Sequence, residues 1–98
     1  MAKLPRALVE GATYHTISVV KGRRPLLANP MCAAVVLEAM NHVRSRGDMY
    51  LLAYALMPDH LHLLVVPRGE ASVSQVMHTI KLFSARRINE LLDSSGAL

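Results

Sequence analysis

Two histidines separated by one apolar residue, His60 and His62, stand at the start of a short run of strand-forming residues, HLHLLVV. Side chains along a strand alternate between faces, so these two imidazoles point the same way, with Cα atoms roughly 6.7 Å apart. A neutral imidazole is a good ligand for a divalent cation. Two of them leave coordination positions open for a further protein ligand and for a phosphate oxygen, which suits phosphoryl transfer. The plain reading of a bare His-x-His is a pair of surface residues on the exposed face of a hairpin, and the surroundings have to decide between the two.

The remaining chemistry-bearing residues are basic or aromatic. Lys21, Arg23 and Arg24 cluster in one turn, and Lys81, Arg86 and Arg87 lie along one later segment. Either group can grip phosphates, and such contacts position a nucleic acid without reading its bases. Either can equally be a solvated face. The net charge of +4 and the pI near 9.7 agree with a polyanionic partner without requiring one. His15, His42 and His78 read as structural or surface residues, with His15 the first exception to consider. The single cysteine, Cys32, excludes an internal disulfide and a cysteine-based zinc cluster, and its apolar neighbours make it a small core side chain.

The elements that position these residues follow from periodicity and from turn chemistry. Residues 12 to 20 (ATYHTISVV) alternate like a half-buried strand. The basic turn KGRR follows. Asn29 and Pro30 then supply an N-cap and a proline at the first helical position, opening a helix that runs to about Arg46. Its apolar stripe is Val35, Val36, Ala39, Met40 and Val43, and Gly47 follows its C-cap. Residues 49–56 and 60–66 are apolar runs joined by Met57-Pro58-Asp59 and should pair as a hairpin. Ser72 and Gln75 have capping-box spacing. They open a second helix with Val73, Val76, Met77, Ile80, Phe83, Ile88 and Leu91 as its apolar positions.

Strand, helix, strand, strand, helix is a split βαβ order. It predicts an α+β, ferredoxin-like two-layer sandwich, with an antiparallel sheet, two helices on one face and the last strand missing. At 98 residues, with 52% apolar and 18% charged side chains, a single domain over 1–98 is expected. No apolar run reaches the roughly 20 residues of a membrane-spanning helix. The N-terminus lacks the apolar core of a secretory signal, so a cytoplasmic location is expected. An exposed sheet edge and a high apolar fraction for the length favour a homodimer.

Residues 57–67 (MPDHLHLLVVP) resemble the HUH segment of the single-tyrosine transposases of insertion sequences and of the REP-associated kind. Tyr14-His15-Thr16, Arg24-Pro25-Leu26, the stretch from Ser74 to Lys81 and the stretch from Ser84 to Asn89 are similar to the same family, so the resemblance spans nearly the whole chain. It implies an enzyme that cuts single-stranded or hairpin DNA by tyrosine attack on a backbone phosphate, storing the bond as a phosphotyrosine for later rejoining. It also implies Mg²⁺ or Mn²⁺ held by His60 and His62. The family keeps its tyrosine, and usually a further polar metal ligand, on a helix beyond another strand. Tyr14, Tyr50 and Tyr54 all fall in predicted strands and match none of this. The expectation is a C-terminally truncated member, lacking the catalytic helix and any catalytic residue of its own. The alternatives are a non-catalytic nucleic-acid-binding or regulatory module on the same fold, and a dimeric ferredoxin-like sensor that would leave the basic clusters without a task.

Overall fold

The computed structural model describes residues 11–92. Strand β1 (Tyr14–Val19), helix α1 (Pro30–Ser45), strands β2 (Met49–Leu56) and β3 (His60–Pro67), and helix α2 (Val73–Leu92) follow in the predicted order. The three strands form one antiparallel sheet in the order β1-β3-β2, so the strand that carries both histidines is the central one. Two single-turn 3₁₀ segments follow β1: Lys21–Arg23, inside the basic turn read from sequence, and Leu26–Ala28, between that turn and α1. The structure is a two-layer α+β sandwich with both helices packed on one face of the sheet.

Local signals explain the boundaries. The Asn29 side chain accepts the Met31 N–H at 2.9 Å, and Pro30 occupies the first helical position, where its missing donor costs nothing. At the other end Gly47 takes φ +79°, donating to the Arg44 carbonyl while Asp48 donates to that of Val43. This is the paired closure of a Schellman motif, and it makes Arg46 the C-cap and Ser45 the last helical residue. Ser72 and Gln75 satisfy each other's backbone N–H groups at 2.8 and 3.1 Å, the reciprocal capping box.

The core lies between the helices and the inner face of the sheet. Leu61, Leu63 and Val65 alternate inward from β3 onto Val35, Val36, Ala39, Met40 and Val43 of α1 and Val73, Val76, Ile80 and Ile88 of α2. Two expected members of the α2 stripe fall short: Phe83 is only half-buried and Leu91 is exposed, while Ser84 takes a buried place instead. Strand β1 is shorter than the predicted 12–20, because Val20 turns into the core and donates its N–H to the Asp59 carbonyl. A register shift between Leu51 and Ala53 leaves Leu52 as a bulge on β2. Among the described residues no helix is long and apolar enough to cross a membrane.

Candidate metal centre and nucleic-acid interface

The burial of β3 fixes where the histidines point. With Leu61, Leu63 and Val65 buried, the period of two sends His60 and His62 to the opposite, outer face of the sheet. That face is open: Ile17 and Val19, which pair with His62 and His60 in register, are 56% and 49% exposed. On the β2 side His62 faces Ala55, whose single methyl leaves room beside the ring. The two imidazoles are 4.9 Å apart between centroids, at 76° to one another.

That spacing fits one shared ion. An imidazole nitrogen sits about 2.1 Å from a divalent metal with the ring centroid about 1.2 Å behind it, so two rings meeting at about 90° to about 109° have centroids roughly 4.7 to 5.4 Å apart. The observed separation falls within that interval. Two rings do not complete a coordination shell, and among the described residues no group of three or more His, Cys, Asp or Glu is arranged to hold a metal. The remaining positions of any bound ion are therefore left to water, to a substrate oxygen or to ligands outside the described residues.

Two neighbours of the pair were not assigned to it from sequence. His60 Nδ1 is 2.6 Å from Asp59 Oδ1, and the other oxygen of that carboxylate accepts from Arg23 Nε at 3.1 Å. The hydrogen bond from His60, joined by the Arg23 guanidinium and opposed by some desolvation, holds the Asp59 carboxyl below the usual carboxylate range. His62 Nδ1 is 3.0 Å from His15 Nε2, with the two rings stacked at 18°. Asp59 reads in the sequence only as turn chemistry. The alternation of β1 puts His15 on the same face as Ile17 and Val19, but its nearness to His62 depends on β1 lying beside β3, which no local pattern states.

The basic residues divide differently from their order in sequence. Lys21, Arg23 and Arg24 stay together in the 3₁₀ turn after β1, which is tied to the β2–β3 turn by the Val20 N–H to Asp59 carbonyl bond and the Leu27 N–H to Pro58 carbonyl bond. The cluster thus stands at the His60 end of the sheet. Lys81 lines the same cleft as Lys21, between the end of β1 and α2. Arg86 and Arg87, five and six residues further along a helix of about 100° per residue, lie about 140° and 240° around its axis from Lys81. They border instead a depression with His42 and Phe83 on the α1 side, and Arg87 pairs with Glu90 at 3.1 Å. Lys81, Arg86 and Arg87, read from sequence as lying along one segment, thus border two separate depressions of the surface.

No tyrosine of the described residues is placed to attack beside the histidines. Tyr14 and Tyr54 pair with Val65 and Leu63, whose side chains are on the helix side of the sheet. Tyr50 pairs with Val66 on the outer face, four residues from His62, or roughly 13 Å along the strand. Its ring lies under the Arg68 guanidinium, 4.2 Å from the centroid.

A family model described as "Transposase IS200 like" matches residues 8–96. The chain belongs to this transposase family. The ISDra2 transposase TnpA of Deinococcus radiodurans is 26% identical over 86 residues, which are 88% of this chain and 61% of that protein. A crystal structure of a transposase from Deinococcus radiodurans R1 superposes with a TM-score of 0.70 at 25% identity, covering 94% of this chain and 70% of the other. A REP-associated tyrosine transposase bound to a REP hairpin shares the fold with a TM-score of 0.72 at 20% identity, over 91% of this chain and 54% of its own length. The chain therefore spans about three fifths of the curated relative that it matches.

Proposed function

We propose that this domain binds single-stranded or hairpin DNA and presents a backbone phosphate to a divalent ion, Mg²⁺ or Mn²⁺, held by His60 and His62. It would do so within a metal-dependent strand cleavage and rejoining reaction that passes through a phosphotyrosine. The observation that carries the reading is the geometry of the pair: two imidazoles 4.9 Å apart on an open face, at the end of the sheet where Lys21, Arg23 and Arg24 gather. Such an ion supplies polarisation of the scissile phosphate and stabilises the charge that develops on its oxygens. The chain's own part is to hold that ion with two neutral imidazoles, to grip flanking phosphates with the basic turn and Lys81, and to keep both on a rigid central strand.

Tyr14, Tyr50 and Tyr54 are not placed to attack beside the pair, so the part proposed for the described residues is binding of DNA and ion rather than supply of the nucleophile. A homodimer forms part of the proposal, because β1 and β2 each leave one backbone edge unpaired among the described residues.

Titration with Mn²⁺ followed by electron paramagnetic resonance, together with fluorescence anisotropy on a hairpin oligonucleotide, tests the reading. We expect Mn²⁺ binding that is abolished in the His60→Ala, His62→Ala double variant, and hairpin binding that weakens as salt rises. A wild-type chain that binds hairpin DNA but takes up no Mn²⁺ would favour the second reading, a non-catalytic nucleic-acid-binding module on the same fold. A chain that binds neither overturns both.

A further inference from the structure

Each histidine of the pair is engaged through the same ring atom, Nδ1, and by a residue outside the pair. Asp59 reaches His60 from the β2–β3 turn at 2.6 Å, and His15 reaches His62 from β1 at 3.0 Å. An ionised carboxylate only accepts hydrogen bonds, so the contact with Asp59 places a proton on His60 Nδ1. In the neutral ring that leaves the lone pair on Nε2. The contact between His62 and His15 has two possible directions. Only the one in which His62 Nδ1 donates to His15 Nε2 frees His62 Nε2 as well.

We infer that Asp59 and His15 are positioning residues for the metal pair, each holding the Nδ1 of one histidine so that both rings present Nε2 to the same ion. The inference rests on the metal reading above and adds to it the residues that set tautomer and ring orientation. A ligating imidazole ordinarily donates its second N–H to an acceptor of this kind, which fixes the ring and raises its basicity; removing the acceptor typically costs about 10- to 100-fold in metal affinity. The two acceptors are not equivalent. Asp59 is itself fixed by Arg23 through its other oxygen, whereas His15 stands on an exposed edge strand and can accept only in the tautomer that leaves the lone pair on Nε2. The Asp59 arm is therefore the stiffer of the two.

The register explains the His15 arm. His62 is directly opposite Ile17, which makes His15 its diagonal neighbour two residues along β1. Diagonal partners on one face of an antiparallel pair are roughly 7 to 8 Å apart at the backbone, a distance that two imidazoles can close.

The test reads ring nitrogens as well as affinity. Long-range ¹H–¹⁵N spectra of the metal-free wild-type chain should show His60 and His62 with the proton on Nδ1. Asp59→Ala should shift His60 alone toward the Nε2–H form, and His15→Ala should shift His62 alone. Mn²⁺ affinity should fall about 10- to 100-fold in either variant. Asp59→Asn should lose less than Asp59→Ala, because its amide oxygen can still accept and asparagine is an equally good turn residue; it also covers the case in which the alanine variant fails to fold. Wild-type Mn²⁺ binding that Asp59→Asn, Asp59→Ala and His15→Ala all leave unchanged, with unchanged tautomers, overturns the inference and spares the metal reading. Absence of Mn²⁺ binding in the wild type overturns the metal reading itself. In the Zn²⁺-loaded chain, coordination shifts belong on His60 and His62 only; a coordinated nitrogen on His15 would make it a ligand and end its positioning role.

Discussion

If Lys21, Arg24 and Lys81 grip phosphates while Arg86 and Arg87 do not, the salt dependence of DNA binding will separate the two groups. Lys21 and Lys81 flank one cleft at the end of β1, and Arg24 stands in the same turn with its Nε on the Lys21 carbonyl. Arg23 shares that turn but has its guanidinium on Asp59, which leaves three cations unpaired with any acidic group among the described residues. Each phosphate neutralised on a single strand contributes about −0.7 to the slope of log Kobs against log salt, so three contacts give a slope of about −2.1. Between about 50 and about 200 mM salt that slope amounts to roughly a 20-fold loss of affinity. Lys81→Ala should reduce the slope to about −1.4, and Lys21→Ala should do the same. Arg86→Ala and Arg87→Ala should leave it unchanged, since they face α1 from the other side of the helix. Fluorescence anisotropy titrations of a labelled single-stranded oligonucleotide at four or more salt concentrations give the slopes directly. A slope that falls in Arg86→Ala or Arg87→Ala while Lys21→Ala and Lys81→Ala keep the wild-type value would show that the DNA crosses the helical layer, and the site assignment would fail with it.

Other expectations concern the frame that holds the site. Leu63 is fully buried in the central strand, so Leu63→Ala should cost about 2 to 5 kcal/mol in urea unfolding; a loss below about 1 kcal/mol would mean that the core does not press on β3 as described. Ser72→Ala removes the oxygen that accepts the Gln75 N–H, and should lower stability by about 1 kcal/mol; an unchanged midpoint would show that the capping box is dispensable. Because Asp59 has its folded-state pKa depressed, its contribution is present above the ordinary carboxylate range and is lost only as pH falls through the lower folded value. The stability gap between wild type and Asp59→Asn should accordingly hold from neutrality down through mild acid and close below it, and a gap already closed at mildly acid pH would contradict the contact with His60. Cys32 is fully buried with its thiol pKa raised, so it should resist a thiol reagent in the native state and react on unfolding.

Much of the fold was legible because its signals are local. Asn29 before Pro30, Gly47 after Arg46, the Ser72 and Gln75 spacing and the Pro58-Asp59 turn each work within one turn of chain, and each is where the residue types placed it. The pairing of His60 with His62 was legible for the same reason, since a strand period of two is a property of the backbone. Relations between elements were not legible. The period of α2 separates Lys81 from Arg86 and Arg87, but only the packing of that helix shows that one faces the end of β1 and the others face α1. His15 belongs beside His62 only because the sheet order is β1-β3-β2 and the register sets Ile17 opposite His62. Asp59 has two uses, turn former and hydrogen-bond acceptor, and the sequence displays only the first.

The site and the core are bound to one another through β3. Its residues alternate without interruption between the two layers: Leu61, Leu63 and Val65 bury against the helices, and His60 and His62 face outward. A slip of one residue in the pairing of β3 would turn His60, His62, Leu64 and Val66 inward and Leu61, Leu63 and Val65 outward. At one end of the strand two imidazoles would then replace two leucines, and apolar burial worth about 25 cal/mol per Å² would be exchanged for unsatisfied ring nitrogens. The wrong register is thus penalised twice. Stability and the presentation of the histidine pair are therefore not separate properties of this chain, and a substitution that loosens the inner face of β3 should degrade metal binding even where it touches neither ring.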